Sequence, residues 1–329
     1  MVLKKLKNQT LLILLTLFII PKTLFAYSDK IIAGGDSVGI RLNTSGILIA
    51  GSYEINGHNS LIEAGLRSGD IIYQINNNEV SKIEEMVDII EKCNCDTLKV
   101  AYKRGSKSYN TVLPLYKDNG ILKTGLYVKD TISGVGTLTF IDPETKLFGV
   151  LGHEITNVDT GEIISIKDGT IFESKITGIN RSSEGNPGEK NALLFSDKIT
   201  GKVFENTNKG IFGKFTSKLK DGNLYKVAKI DDIKLGEAKI LTVLNDNNIE
   251  EFKINITSVK NTNDKLKNIQ FEITDEKLLS KTNGIVQGMS GSPIIEGDYI
   301  IGAVTHVVVN DPHKGYGILI TNMLEEAEN

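Results

Sequence analysis

Gly288-Met289-Ser290-Gly291-Ser292-Pro293 is the stretch around which the rest of this chain is organised. It places one serine between glycines, and a proline and the apolar pair Ile294-Ile295 follow. Small residues on both sides of Ser290 permit a tight turn that projects its hydroxyl and aims backbone N–H groups at one point, where a developing oxyanion would be stabilised. A Gly/Ser turn between two strands is common in β proteins and gives the same pattern. This stretch alone does not separate the two interpretations.

Composition describes a globular protein that is rich in turns. The chain has 329 residues, of which 24% are charged and 40% hydrophobic, and this length allows two ordinary domains. A formal charge of −3 provides no basic surface for nucleic acid, which excludes that class of partner. The 32 glycines against 6 prolines, together with many Ile, Val and Thr residues, favour a β architecture.

Residues 1–26 have the pattern of a targeting segment. Three lysines lie within the first seven residues, the stretch 11–20 is apolar except for Thr16, and Ala26 offers a small residue for cleavage. The apolar run is shorter than the roughly 20 residues of a membrane span and has the length of a signal-peptide core. The pattern predicts export, by a cleaved signal peptide or an uncleaved membrane anchor.

Residues 30–117 resemble a PDZ domain of the bacterial type. Ala64-Gly65-Leu66-Arg67-Ser68-Gly69-Asp70-Ile71-Ile72 is similar to the A-G-L-x-x-G-D-x-I signature, and Ile75-Asn76-Asn77-Asn78-Glu79-Val80 resembles the I-N-G-x-x-V hairpin, with Asn where positive φ is needed. Ser37–Leu42 takes the place of the carboxylate-binding loop and its adjoining strand. The resemblance implies an α+β domain that binds a peptide as an added strand. The peptide-binding residues would be Val38, Gly39, Ile40 and Leu42. A similar domain with a degenerate groove is the alternative.

A helix is predicted after this hairpin. Ser81-Lys82-Ile83-Glu84 forms a capping box, and Ile83, Met86, Val87 and Ile90 repeat at helical spacing. Cys93 and Cys95, the only cysteines, follow it. They are too few for a disulfide framework or a structural zinc site, and we predict free thiols at the helix end.

Beyond Asp118-Asn119-Gly120, short apolar strands alternate with turns, which is typical of a β-sandwich or barrel. Among the four histidines, His153 follows the strand Lys146–Leu151 and precedes Ser290 in the chain. It is a candidate general base for that hydroxyl, and a structural histidine at a strand end is the alternative. His306 could line the same site, whereas His58 and His313 lie in polar loops.

The sequence lacks the residue spacing of two other kinds of site, a zincin metal site and a phosphate-binding P-loop. His153-Glu154 is not followed by the second histidine of a zincin, and Gly210-Ile211-Phe212-Gly213-Lys214 is too short for a P-loop. A buried carboxylate that orients His153 would complete a serine triad. The sequence pattern leaves this choice open among five residues: Asp159, Asp168, Asp275, Asp298 and Asp311.

The Ser290 turn resembles the nucleophile turn G-x-S-G-x-P of chymotrypsin-like proteases. By that resemblance the backbone amides of Gly288 and Ser290 form the oxyanion hole. The order of His153 before Ser290 also agrees with these enzymes. The implied fold is mainly β, with an N-terminal α+β PDZ domain followed by a chymotrypsin-like double β-barrel serine peptidase domain.

Nearly the whole chain resembles the stage IV sporulation protein B family, the S55 serine peptidases of endospore-forming bacteria. The most specific stretches of this resemblance are Val150–Ile155, Asn206–Gly213 and Gly284–Pro293. Two further stretches, Ile301–Val307 and Asn310–Ile318, extend it. It implies that Ser290 is the nucleophile, His153 the base and Asp275 the acid, in a peptidase domain over 118–329 with no cofactor. Asp275 departs from chymotrypsin-like enzymes, whose aspartate lies much earlier in the chain.

The same resemblance implies a signalling endopeptidase of the sporulation programme, exported from the forespore into the space between forespore and mother cell. Such a protein cleaves itself and a membrane-bound regulator of an intramembrane protease, which releases activation of a late mother-cell sigma factor. Two other functions fit the sequence. One is a non-enzymatic PDZ adaptor with a peptidase-like barrel, and the other is a general quality-control protease.

Overall fold

The computed structural model describes residues 27–157, 160–219, 222, 224–261 and 266–329. The targeting segment predicted over 1–26 and the candidate acid Asp159 lie outside these residues. The described chain is mainly β-structure, as the composition predicted. None of the helices in the described ranges has the length and apolar character needed to cross a membrane.

The strands and helices follow in chain order. They are β1 (Lys30–Ala33), β2 (Ser37–Ser52), α1 (Ser60–Glu63), β3 (Ile71–Ile75), β4 (Asn78–Glu79), α2 (Ile83–Lys92), β5 (Thr97–Arg104), β6 (Lys107–Pro114), β7 (Tyr116–Asp118), β8 (Ile121–Lys123), β9 (Leu126–Ile141), β10 (Leu147–Val150), β11 (Ile166–Asn180), β12 (Glu189–Thr207), β13 (Gly210–Phe215), β14 (Leu224–Val227), β15 (Gly236–Val243), β16 (Ile249–Val259), β17 (Ile269–Ile273), α3 (Glu276–Thr282), β18 (Pro293–Glu296), β19 (Tyr299–Val308), β20 (Asp311–Leu319) and α4 (Ile320–Ala327).

Antiparallel pairing closes two rings of strands. Ring one runs β2-β9-β10-β13-β12-β11 and returns to β2. Ring two runs β15-β16-β17-β20-β19-β18 and returns to β15. Alternate residues of these strands point inward, so that Phe148 and Ile171 fill ring one while Phe252 and Phe271 fill ring two.

Strand β1 holds the two rings together. It pairs with β9 of ring one and with β14, and β14 in turn runs parallel to β19 of ring two. The C-terminal helix α4 packs on this junction through Ile320, Met323 and Leu324, which are buried. The first strand and the last helix of the described chain therefore both stabilise the meeting of the rings.

A PDZ-like module extends from ring one and has its own core, which includes Ile47, Ile72, Met86 and Leu98. Asp70 of the predicted signature is buried and accepts from Arg104 Nε at 2.8 Å and Nη2 at 2.7 Å. Charge-assisted pairs of this kind are among the stronger hydrogen bonds. In the predicted hairpin, Asn77 has φ +66°, the left-handed conformation expected there.

The predicted boundaries of this module, 30–117, are corrected by strand pairing. β1 and residues 37–44 of β2 belong to the junction and to ring one, where β2 lies between β9 and β11. Only from Ile47 does β2 pair with β3 of the PDZ-like module, and β9 pairs alongside it from Leu126. Two continuous strands therefore pass between module and ring, and no linker separates them.

Helix α2 and the cysteines also differ in detail from the prediction. The carboxylate that closes the N-terminus is that of Glu85, which accepts from the backbone N of Ser81 at 2.7 Å and of Lys82 at 2.9 Å, rather than that of Glu84. The prediction of free thiols is wrong, because Cys93 and Cys95 are joined as a disulfide.

Candidate active site

The Ser290 turn is a compact loop between the two rings. Met289 N donates to Val286 O at 3.1 Å, and Ser292 N donates to Met289 O at 2.9 Å. Gly288 and Gly291 have φ of +90° and +91°, a backbone conformation that favours glycine. A Cβ on Gly291 would also lie 2.1 Å from Thr137 O, so this position has no room for a side chain.

Two buried threonines of β9 hold the turn against ring one. Thr137 N donates to Ser290 O at 3.0 Å, and its Oγ1 donates to Gly288 O at 2.7 Å. Thr139 Oγ1 donates to Gly291 O at 2.8 Å. One strand therefore fixes three carbonyls of the turn, those of Gly288, Ser290 and Gly291. Neither threonine could be predicted from the sequence, because both lie about 150 residues upstream of the turn.

The fixed carbonyls leave two amides of the turn unused. Within the described ranges, the backbone N–H groups of Gly288 and Ser290 have no acceptor, although those of Met289, Gly291 and Ser292 each have one. Backbone donors that are held in place without an acceptor are the components of an oxyanion hole. The resemblance to chymotrypsin-like proteases assigns the oxyanion hole to these two amides, and that assignment stays a prediction.

Strand β19 contacts both Ser290 and His153. The Ser290 hydroxyl donates to Thr305 O at 3.2 Å. The ring of the next residue, His306, lies 5.7 Å from the ring of His153, centroid to centroid. Both candidates therefore lie next to consecutive residues of one strand, Thr305 and His306, and both are half-buried.

The tautomer of His153 follows from its own neighbour. Its Nδ1 lies 2.8 Å from Glu154 O. A carbonyl oxygen only accepts, so Nδ1 carries the proton and Nε2 keeps a free lone pair. That is the tautomer a general base requires, and here a backbone carbonyl selects it.

The loop that carries His153 is fastened by Asn206, at the end of β12. Ile155 N donates to Asn206 Oδ1 at 2.9 Å, and Asn206 Nδ2 donates to the carbonyls of Ile155 and Ile164, each at 2.9 Å. One side chain thus satisfies three backbone groups of this loop. Asn206 lies in a stretch that carries the family resemblance, which was the available signal, but the sequence did not give its role.

Asp275 has a different set of contacts. It is the N-cap of α3, where Oδ1 accepts from Leu278 N at 2.9 Å and Oδ2 accepts from Lys253 N at 3.2 Å. Among the described residues no hydrogen bond joins it to His153. Its assignment as triad acid stays a prediction from the resemblance. Of the other candidates, Asp168 pairs with Asn43 and Asp311 with Lys314.

The remaining histidines occupy other places. His58 stacks on Tyr116 in the PDZ-like module with ring centroids 4.3 Å apart, and its Nδ1 is 3.4 Å from Glu63 Oε1. His313 lies on β20, where its N donates to Asp311 Oδ1 at 3.3 Å.

The four residues predicted to bind a PDZ peptide do not form a groove. Val38, Gly39, Ile40 and Leu42 lie in the part of β2 whose two edges are already paired, with β9 and β11. A Cβ on Gly39 would lie 2.1 Å from the Phe172 ring. No strand can be added there, so this part of the prediction is wrong.

A free strand edge exists elsewhere in the module. Over Leu126–Thr131, β9 pairs on one side with β2, and within the described ranges no strand pairs with its other side. Helix α2 lies beside this edge, where Ile83 N donates to Asp130 Oδ2 at 3.1 Å. A strand edge next to a helix is the arrangement in which PDZ domains accept peptides.

Comparison with known proteins identifies the family of this chain. A family model matches residues 120–324, and the class it defines is a peptidase. It is described as SpoIVB peptidase S55, and because the match covers more than half of the 329 residues, the chain belongs to that family. No curated protein matches the chain by sequence.

Two solved structures are similar to parts of the chain. The PDZ domain of an SdrC-like protein from Listeria monocytogenes is 25% identical over 26% of this chain and 90% of its own, with a TM-score of 0.23. The inactive form of the Rv3671c protease is 13% identical over 59% of this chain and 85% of its own, with a TM-score of 0.34.

Proposed function

We propose that this protein is a serine endopeptidase with a chymotrypsin-like double β-barrel and an associated PDZ-like module. The observation that carries the proposal is the pair of unused amides, of Gly288 and Ser290, in a turn whose serine and His153 both lie beside strand β19. A structural turn between strands needs no such pair of free donors.

The proposed reaction uses each group once. The Ser290 hydroxyl turns from Thr305 O to His153 Nε2, which takes its proton as the oxygen attacks the substrate carbonyl. The amides of Gly288 and Ser290 stabilise the resulting oxyanion, while Glu154 O holds the proton on Nδ1. The imidazolium then gives its proton to the leaving amine. In the second half of the reaction His153 takes a proton from water as the water oxygen attacks the acyl-enzyme, and it returns that proton to Ser290 as the acid product leaves.

The test is intact-mass analysis after incubation with a fluorophosphonate, which forms a covalent adduct on an activated serine with loss of fluoride. Wild type is expected to gain one adduct, and Ser290→Ala and His153→Ala to gain none. Ser292→Ala is the matched control, because Ser292 lies in the same turn but is fully buried. Adduct formation in Ser290→Ala, or none in wild type that cleaves substrate, would contradict the assignment.

The biological setting proposed is the one that the family resemblance implies. The protein is exported into the space between forespore and mother cell, where it cleaves itself and a membrane-bound regulator of an intramembrane protease. What supports this is membership of the SpoIVB peptidase family and the predicted export segment over 1–26. Cleavage of the regulator by wild type and not by Ser290→Ala supports it, whereas equal signalling by both would favour the adaptor. General degradation of unfolded proteins would favour a quality-control protease.

The PDZ-like module is proposed to recognise an extended peptide at the free edge of β9 beside α2. Val87 on α2 is 44% exposed, so Val87→Glu changes the surface of this helix without disturbing the module core. Reduced cleavage of the partner with unchanged fluorophosphonate labelling supports this location. Unchanged partner cleavage counts against it.

A further inference from the structure

Lys190 is buried directly behind the Ser290 turn, in a place where a lysine is unexpected. It lies near the start of β12, and only 6% of its surface is exposed. Lysine is almost never fully buried unless it is paired with an acid. Here the amine donates to Thr242 Oγ1 at 2.7 Å, and Thr242 on β15 has no exposed surface.

Burial dominates the chemistry of this amine. Removal from water lowers the pKa of Lys190 to about 7, with no charged group acting against it. A buried amine with a hydroxyl partner costs stability relative to an apolar side chain of the same shape. A methionine would fill the space without that cost, so the amine itself calls for an explanation.

The contacts of the side chain lead to the oxyanion turn. A Cβ placed on Gly288 would lie 3.2 to 3.4 Å from Cδ, Cβ and Cγ of Lys190, so the stem lies against the face of this glycine. The main chain contacts the turn as well, because Lys190 N donates to Gln287 O at 3.0 Å and Gln287 N donates to Gly188 O at 2.7 Å. Lys190 thus contacts Gln287 and Gly288, the two residues immediately before Met289 and Ser290.

The far end of the side chain is fixed to a different part of the molecule. Lys190 belongs to a strand of ring one, whereas Thr242 belongs to ring two. The hydrogen bond from the Lys190 amine to Thr242 Oγ1 therefore extends this side chain from ring one to ring two, and its methylene groups pass beside Gly288. Thr137 holds the same glycine from ring one through Gly288 O.

We propose that Lys190 is a positioning residue for the proposed oxyanion hole: its amine, anchored on Thr242, holds its stem against Gly288 and so fixes the direction of the Gly288 amide. The inference rests on the proposed function, since it assigns a purpose to that amide. Lys190 touches no reacting atom in this role. It acts only through the backbone of the turn.

The test is a cycle of four variants of the full protein: Lys190→Met, Thr242→Val, the double variant, and Thr242→Ser, which keeps the hydroxyl. Lys190→Met and Thr242→Val each remove the hydrogen bond between Lys190 and Thr242. Each is expected to slow labelling of Ser290 by a fluorophosphonate about tenfold, because the Gly288 amide would be modestly misaligned. Thr242→Ser should label like wild type. The double variant replaces both partners with apolar groups, which favours recovery of stability without recovery of the anchor.

The double variant separates positioning from stability. If it regains the melting temperature but still labels slowly, Lys190 positions the turn. If labelling recovers together with melting temperature, or if Lys190→Met labels like wild type, the inference is overturned.

A second measurement keeps the inference independent of catalysis. Hydrogen–deuterium exchange of the peptide that contains Gly288 and Ser290 is expected to be faster in Lys190→Met and Thr242→Val than in wild type and Thr242→Ser. Absence of labelling in wild type would count against the proposed function alone, and the exchange rates would still decide the role of Lys190. Equal exchange in all variants would overturn it.

Discussion

Thr137 Oγ1 donates a hydrogen bond of 2.7 Å to Gly288 O, although the two residues are 151 positions apart in the chain. The backbone N of Thr137 donates in turn to Ser290 O at 3.0 Å. A single side chain and its own amide thus hold both residues whose N–H groups are proposed to bind the oxyanion. Thr137 lies on β9, and the other end of this strand, at Leu126, belongs to the PDZ-like module.

This relationship predicts a large effect of a small substitution. Thr137→Val keeps the shape of the buried side chain but removes its donor, which leaves Gly288 O without a partner. We expect a loss of about 1–3 kcal/mol in the free energy of unfolding. Labelling of Ser290 by a fluorophosphonate should slow by about tenfold or more, because the direction of the oxyanion donors is no longer fixed.

Thr137→Ser is the control, since it keeps the hydroxyl, and it should label nearly as fast as wild type. Urea unfolding and the rate of adduct formation by intact mass measure the two effects. Wild-type labelling by Thr137→Val would show that the backbone bond from Thr137 N is sufficient to hold the turn.

The residues of the candidate site were largely predictable from the sequence, because they stand out in short local patterns. Gly288 and Gly291 are required by the turn itself, and His153 is one of only four histidines. The groups that hold these residues in place, Thr137 and Asn206, could not be predicted. Their hydrogen bonds join segments far apart in the chain, and nothing in the composition of either segment indicates its partner.

The boundary of the PDZ-like module was not predictable for a related reason. Residues 37–44 and 47–52 look like two strands of one small domain, since Thr44-Ser45-Gly46 has the composition of a turn. In the structure they form one continuous strand whose two halves pair with different partners. Strand partners depend on the whole sheet, and a strand pattern by itself does not specify them.

Asp275 offers a prediction that separates a helix cap from a triad acid. Asn and Asp are similar N-caps, whereas Ala removes the cap at a cost of about 1 kcal/mol. Asp275→Asn keeps an oxygen for Leu278 N and loses only the longer contact with Lys253 N, because an amide nitrogen cannot accept. We therefore expect this variant to keep most of its stability and its fluorophosphonate labelling. Asp275→Ala should lose stability in urea unfolding. A drop in labelling of about 10⁴-fold in Asp275→Asn, at unchanged stability, would instead establish it as the acid of the triad.

The contacts of Asn206 predict that activity falls when the loop after His153 is no longer held in place. Asn206→Asp removes the two Nδ2 bonds to Ile155 O and Ile164 O and places a carboxylate beside both carbonyls. We expect His153 to lose its fixed orientation, so that labelling of Ser290 slows by about tenfold to a hundredfold. Asn208→Ala, at an exposed position of the same turn, is the matched control and should label like wild type. Equal rates in all three proteins would show that Glu154 O alone orients the imidazole.

Lys190 predicts how stability changes with pH. Its pKa in the folded protein is about 7, against an ordinary value of 10.5 in the unfolded chain. Between these two values the unfolded state binds more protons than the folded state, so the free energy of unfolding rises with pH. The gain is lost as the pH falls toward about 7, below which the full cost of the buried charge is present. Between pH 7.5 and 9.5, wild type should gain about 2.5 kcal/mol relative to Lys190→Met, which has no group that titrates at this position. Urea midpoints of both proteins at the two pH values measure the difference, and an identical pH dependence in both would mean that the amine reaches water in the folded state.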